Sequence, residues 1–187
     1  MGTLRVTGGS LRGRRLRVPP GRETRPTSDK VREAIFDILG PRAVVARAAD
    51  LFAGSGALGI EALSRGAGHC LFVELRRFVL RVLAANLESL DLQDRSTLLR
   101  ADAAAASRRL LAQGPVELIL ADPPYDRGLV ARVVRLAGER GLLAPGGWLV
   151  LEHSPRERPP QIPPLACRDR RAYGQTEVSL LERGTSR

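Results

Sequence analysis

The sequence predicts an α/β fold: a mostly parallel sheet covered by helices on both faces and closed by an antiparallel hairpin. Three observations carry that expectation. Short apolar runs of strand length alternate with segments of helical periodicity between residues 47 and 152, the pattern of strands joined by crossover helices. Three glycines, Gly54, Gly56 and Gly59, stand where one such strand gives way to a helix. Near the C-terminus, "CRDRRAY" and "TEVSLLE" are separated only by Gly174-Gln175. So tight a link permits only an antiparallel pair, because a parallel partner needs a crossover.

Taken in order, "LRVTGGSLRGRRLRVPP" reads as two short strands around a glycine-containing turn, a small N-terminal basic hairpin over residues 1–22. The main domain is expected over residues 23–187. It opens with "RPTSDKVREAIFDILGP", a helix that Thr27 or Ser28 can cap, with Val31, Ala34, Ile35, Ile38 and Leu39 on one face and Gly40-Pro41 as its stop. Strands are expected near 47–52, 69–74, 96–100, 116–121 and 147–152, and helices near 57–66, 76–90, 103–112 and 128–140. With the two strands of the terminal hairpin the sheet has seven. "SPRERPPQIPPLA" reads as a proline-rich connection to that hairpin.

A chain of 187 residues and 20.3 kDa is long enough for one well-buried core and too short for two enzymatic domains. No apolar run approaches the roughly 20 residues of a membrane helix, and "MGTLRVTGGSLRGRR" lacks the apolar segment of a signal peptide. The expected setting is the cytoplasm. Cys70 and Cys167 stand singly, without a nearby His or second Cys at metal spacing, and read as ordinary buried thiols. No metal site is expected. Charge is unevenly placed: residues 1–32 hold nine basic and two acidic side chains, 33–154 hold fourteen of each, and 155–187 hold seven and four. Basic ends beside a neutral middle suggest contact with a polyanion, most simply nucleic acid. Arg12, Arg14, Arg15 and Arg17 form the densest cluster and are the expected RNA contacts, against the alternative of a merely solubilising surface.

"ADLFAGSGALGIEAL" places a G-x-G-x-x-G spacing between strand and helix, so that Ala53, Gly54, Ser55 and Gly56 form a loop a ligand can approach closely. Glu74 ends the next strand, where a carboxylate can accept hydrogen bonds from both hydroxyls of a ribose. A dinucleotide's pyrophosphate would be repelled by acids at the loop's mouth, whereas S-adenosylmethionine brings an ammonium and a sulfonium. Asp50 and Asp122 are expected near that mouth and favour the cationic ligand, although Asp50 also reads as a structural acid at a strand end. Asp102 follows the third strand. Its carboxylate can accept an adenine amino group, with the Ala103 amide facing the ring, or it can cap the helix that follows.

The strand "LILA" ends in "DPPY", residues 122–125. An exocyclic base amine is a poor nucleophile because its lone pair is delocalised into the ring. Acceptors that grip both amine hydrogens pull the nitrogen toward tetrahedral geometry. Asp122 offers a carboxylate oxygen and the Pro123 carbonyl a second acceptor, with Pro123 and Pro124 restricting the backbone that holds them. Tyr125 offers a ring on which an extruded base can stack, worth on the order of 1–3 kcal/mol. The plainer alternative is an ordinary Asp-Pro turn.

Together, "GGSLRGRRLRVPP", "RPTSDKVREAIFDIL", "DLFAGSGALGIEALSRGA", "ADPPY" and "YGQTEVSLL" resemble the bacterial 16S ribosomal RNA guanine-N2 methyltransferases that modify guanine-966. The resemblance covers nearly the whole chain. It implies a Rossmann-like class I methyltransferase fold, S-adenosylmethionine as cofactor, and transfer of a methyl group to the N2 amine of guanine-966. It further implies the small ribosomal subunit or its assembly intermediate as partner and a place for Arg25 and Thr27 beside the cofactor's methionine end. A monomer is expected. Guanine's adjacent N1–H and N2–H suit a carboxylate acceptor, although DNA adenine methyltransferases also use this motif. Tyr173 is expected either on the substrate face or in sheet packing, and Asn86, His69 and His153 as structural. Rival readings are amino-methyl transfer to another RNA, to DNA adenine or to a protein glutamine, a nicotinamide-dependent oxidoreductase, and a non-catalytic RNA-binding module. Calorimetry separates the cofactor classes: S-adenosylmethionine is expected to bind the purified protein and NAD is not, and the reverse result removes the methyltransferase reading.

Overall fold

The computed structural model describes residues 4–19, 29–105 and 108–185. The N-terminal hairpin consists of β1 (Leu4–Arg5) and β2 (Arg15–Leu16), paired antiparallel around a 3₁₀ turn at Gly9–Leu11. Helix α1 spans Asp29–Leu39. The alternating part runs β3 (Arg47–Leu51), α2 (Ala57–Ser64), β4 (His69–Val73), α3 (Arg77–Ser89), β5 (Ser96–Leu99), α4 (Arg108–Leu111), β6 (Val116–Ala121), α5 (Leu129–Gly138) and β7 (Leu143–His153). The chain closes with β8 (Leu165–Tyr173) and β9 (Thr176–Arg183).

Seven strands form one sheet in the order β5-β4-β3-β6-β7-β9-β8. The first five pair in parallel, while β9 runs antiparallel between β7 and β8. This is the expected doubly wound arrangement with its terminal hairpin. Side chains alternate across it as strand geometry requires. Ala48, Cys70, Phe72, Leu118 and Leu120 pack with α1, α2 and α3 on one face, whereas Ala49, Leu71, Ile119, Leu149 and Leu151 pack with α4 and α5 on the other.

Four expectations change. The helix expected near 103–112 is a 3₁₀ turn at Ala103–Ala105 followed by the single turn of α4. That alanine-rich segment has little apolar surface to bury, and Leu110 is the one buried residue of α4. Strand β7 is longer than expected and irregular, with a register shift against β6 between Val116 and Leu118. Cys167 is exposed while Cys70 is buried, because β8 is an edge strand with most of its side chains in solvent. The buried stripe of α1 is Arg32, Ile35, Phe36 and Leu39, rotated from the expected apolar face. The cap expected from Thr27 or Ser28 lies outside the described residues.

An arginine enters that stripe because a carboxylate waits for it. Glu61, fully buried on α2, accepts hydrogen bonds from the Thr7 amide (2.8 Å), the Thr7 hydroxyl (2.7 Å), the Gly8 amide (2.7 Å), Arg32 Nε (3.2 Å) and Arg65 Nε (2.8 Å). Arg32 also reaches Asp29 and the Arg5 carbonyl. One side chain thus joins the N-terminal extension, α1 and α2. Leu4, Val6 and Leu16 of the extension complete the attachment by entering the main core. Removing the carboxylate leaves several buried donors unpaired. Glu61→Ala is therefore expected to lower the unfolding free energy by about 3–5 kcal/mol, read from urea denaturation, and an unchanged midpoint contradicts the assignment.

Candidate functional site

Strand register builds the site. Leu51 of β3 lies opposite Val73 of β4 and Ala121 of β6, and Ala121 lies opposite Leu151 of β7. The next residues along the chain are Phe52, Glu74, Asp122 and Glu152, so these four emerge in one row at the C-terminal edge of the sheet. Adjacent strands lie about 4.8 Å apart, which sets Asp122 and Glu152 one strand spacing apart and Glu74 two spacings beyond Asp122. The sheet reverses winding direction between β3 and β6, the point at which doubly wound folds leave a crevice for ligands.

The glycine loop follows β3, and Ala53, Gly54, Ser55 and Gly56 are buried and do not line the cleft at this edge, against the expectation of a loop open to close approach. Gly56 has φ of +83° and stands directly before α2, where a Cβ would collide with Leu83. A Cβ on Gly59 would collide with Phe72 and Cys70, so this third glycine lets α2 approach β4. Glu74 is buried, and its carboxylate accepts from the Gly54 amide at 3.2 Å and the Arg76 amide at 2.9 Å. Asp50 lies within the fold instead of at the loop's mouth: it is 2% exposed and accepts from the Gly59 amide at 2.9 Å. Asp102 takes the capping alternative, accepting from the Ala104 amide at 2.9 Å at the start of the 3₁₀ turn, and it lines the cleft beside Ala103.

The cleft has a volume of about 1780 Å³, more than the roughly 300–1,000 Å³ of a site for one small ligand. Room for two ligands suits a donor and an acceptor held together. Glu74, Phe52 and Asp102 line one side; Asp122, Tyr125 and Glu152 line the other. Pro123 is buried and Pro124 half-buried. Tyr125 is 38% exposed and held by its hydroxyl, which donates to Glu152 Oε1 at 3.0 Å and contacts the Thr176 hydroxyl. Thr176 also donates to Glu152 Oε1, at 3.3 Å. Burial, with Glu152 and Asp122 nearby, pushes the Tyr125 phenol well above its ordinary pKa, so it remains a neutral donor.

Outside the cleft, Arg12, Arg14, Arg15 and Arg17 are exposed. Arg14 donates to the Ser89 carbonyl at 2.7 Å, at the end of α3. Asn86 is the joint between this arm and the glycine loop. Its side chain accepts from the Arg17 amide at 2.8 Å and donates to the Arg17 and Ser55 carbonyls, both at 2.9 Å. Tyr173 lines the cleft and also packs against the core. His153 is buried between the Ser154 carbonyl and the Ser179 hydroxyl, which fixes its Nδ1 as the donor, and burial lowers its pKa. Arg25 and Thr27 lie outside the described residues. Glu152 and Thr176 are site residues that sequence reasoning missed. The available signal was Glu152 at the end of its strand, in the row with Glu74 and Asp122.

A family model described as conserved hypothetical protein 95 matches residues 4–182. The Bacillus subtilis protein YlbH is 39% identical over 186 residues, covering 96% of this chain and 99% of its own. Ribosomal RNA small subunit methyltransferase D of Escherichia coli strain K12 is 36% identical over 184 residues, covering 97% and 91%. Among solved structures, yhhF from Escherichia coli superposes with a TM-score of 0.86 at 35% identity, covering 99% of this chain and 100% of that one.

The held phenol has a spectroscopic consequence. The chain has two tyrosines, and alkaline titration of phenolate absorbance is expected to show one ionising late. Tyr125→Phe removes that step, and Glu152→Gln moves it toward the ordinary value. Because the folded pKa is raised, this group's contribution to stability is complete below the unfolded value of about 10 and declines as pH rises beyond it. Two coincident ionisations near the ordinary value contradict the geometry.

Proposed function

This chain belongs to the conserved hypothetical protein 95 family and is similar over nearly its whole length to a ribosomal RNA small subunit methyltransferase, and from that premise we propose that it methylates small-subunit ribosomal RNA using S-adenosylmethionine. We further infer that the acceptor is the N2 amine of a guanine, guanine-966 of 16S RNA, in the small subunit or its assembly intermediate. The enzyme acts as a monomer in the cytoplasm. The observation that carries this reading is the placement of Asp122, Pro123 and Tyr125 on one side of a two-ligand cleft whose other side presents Phe52, Glu74 and Asp102, with the buried Gly54 amide donating to Glu74 behind them.

The donor side fits the cofactor. Glu74 presents a buried carboxylate beside the Gly54 amide, suited to ribose hydroxyls. Phe52, Leu75 and Ala103 add apolar surface for an adenine ring, with Asp102 at hand for its amino group. The backbone of Ala53, Gly54, Ser55 and Gly56 shapes the loop, and Asp50 holds it from beneath through Gly59. Arg25 and Thr27 are assigned to the methionine end. When bound, S-adenosylmethionine supplies an electrophilic methyl group on a positively charged sulfur.

On the acceptor side, the Asp122 carboxylate and the Pro123 carbonyl accept the hydrogens of the guanine amine and localise its lone pair. Pro124 stiffens the turn. Tyr125, its hydroxyl fixed by Glu152 and Thr176, stacks on the extruded base. Asp122 accepts the proton that the amine gives up on forming its new bond. The effect is positioning plus fixed electrostatics. Residues 1–22 form the RNA-contacting extension of the domain over 23–187, with Arg12, Arg14, Arg15 and Arg17 meeting phosphates.

Incubation with radiolabelled cofactor and either naked 16S RNA or undermethylated small subunits tests the reading. Label is expected as N2-methylguanine at position 966; label on adenine, or on protein, overturns it. Asp122→Asn is expected to lower kcat by roughly 10²–10³-fold, the scale of losing one preorganised acceptor or donor, while calorimetric cofactor affinity stays unchanged.

A further inference from the structure

The carboxylates that line the cleft, Glu74, Asp102, Asp122, Asp126 and Glu152, repel a phosphate, yet an RNA base cannot enter without phosphates on either side of it. Two arginines at the mouth resolve the conflict. Arg127 lies in the turn between Tyr125 and α5, flanked by Asp126 and Gly128, both in the left-handed region with φ of 56° and 66°. Arg156 lies in the turn after β7, where the Ser154 hydroxyl accepts from the Arg156 amide at 3.2 Å and the Ser154 carbonyl accepts from the Glu157 amide at 3.0 Å. Both side chains are exposed and line the cleft. Among the described residues neither guanidinium has a hydrogen bond or an ion pair, whereas Arg76, the third arginine of the cleft, is bound to Glu74 at 3.3 Å.

The bases of these arms are held while their heads are free. Glu157 reaches from the Arg156 turn to accept from the Val130 amide at 3.3 Å, in the first turn of the helix that begins after Arg127. The two turns are therefore tied to one another. They also share a side of the cleft. Arg127 follows β6 and Arg156 follows β7, next to Asp122 and Tyr125, while the glycine loop, Glu74 and Asp102 follow β3, β4 and β5. The cofactor's methionine end is assigned to Arg25 and Thr27 and not to these two arginines.

We propose that Arg127 and Arg156 form a phosphate clamp that binds the RNA backbone flanking the extruded nucleotide, keeping its phosphates at the rim while the base descends to Asp122. The proposal rests on the RNA methyltransferase reading. It adds a binding site on the catalytic domain itself, separate from the arginines of the N-terminal extension. A guanidinium suits the task because its planar fork meets phosphate oxygens in pairs.

Binding of a labelled RNA hairpin with guanine in its loop, titrated at several salt concentrations, tests the clamp. Arg127→Ala and Arg156→Ala are each expected to weaken RNA binding roughly fivefold, a charged hydrogen bond discounted for exposure. Each is also expected to flatten the slope of log affinity against log salt by about 0.7, the value for one phosphate contact on a single strand. The Lys variants recover part of the loss, and calorimetric cofactor affinity is unchanged. Arg135→Ala, on the exposed side of α5, serves as the control for removing one positive charge. If the two cleft variants match Arg135→Ala in affinity and slope, or if they lose cofactor instead of RNA, the clamp is wrong. Wild-type protein that binds the hairpin with the clamp's salt signature but transfers no methyl group would overturn the enzymatic reading and leave the clamp standing.

Discussion

The site depends on one constraint, the register in which β3 pairs with its two parallel neighbours. Because Leu51, Val73, Ala121 and Leu151 align across four strands, the chain needs no further device to bring Glu74, Asp122 and Glu152 to one edge. A slip of one residue would turn every side chain of the slipped strand to the opposite face. That slip is opposed by burial on both sides of the sheet: Leu118 and Leu120 face one core while Ile119 and Ala121 face the other, all essentially inaccessible to solvent. Core packing therefore holds a cleft whose residues contribute little apolar burial of their own.

Around that register the polar interior works as a set of ties. Glu61 binds the extension and α1 to α2, and Asn86 binds the extension's Arg17 backbone to the Ser55 carbonyl of the glycine loop. The basic arm is thus continuous with the loop it accompanies. A carboxylate buried with five donors is costly to leave unpaired, so the extension and α2 stand or fall together. Glu152 plays the corresponding part on the Asp122 side of the cleft, where one buried oxygen receives both Tyr125 and Thr176 and fixes the ring at the cleft with a residue from the terminal hairpin.

Much of this was legible in the sequence because alternation and periodicity are local signals. The expected β6 coincides with the observed Val116–Ala121, and the tight Gly174-Gln175 link makes the hairpin that it requires. What escaped was decided by partners distant in the chain. Arg32 is not part of the apolar face expected for α1, yet Glu61 draws it inward. Asp50 reads either as a ligand-facing acid or as a structural one, and the Gly59 amide decides for the structural reading. Cys167 reads as buried until β8 proves to be an edge. Glu152 carries no motif, and only the pairing of β7 with β6 places it beside Asp122.

The most direct measurement is a crystal structure of the protein with S-adenosylhomocysteine and a guanine-bearing oligonucleotide. The account requires the guanine N2 within hydrogen-bond distance of the Asp122 carboxylate and the Pro123 carbonyl, with the base stacked on Tyr125 and its N2 facing the sulfur. A guanine bound elsewhere, or a Tyr125 ring turned into the core with no space before Asp122, would contradict it.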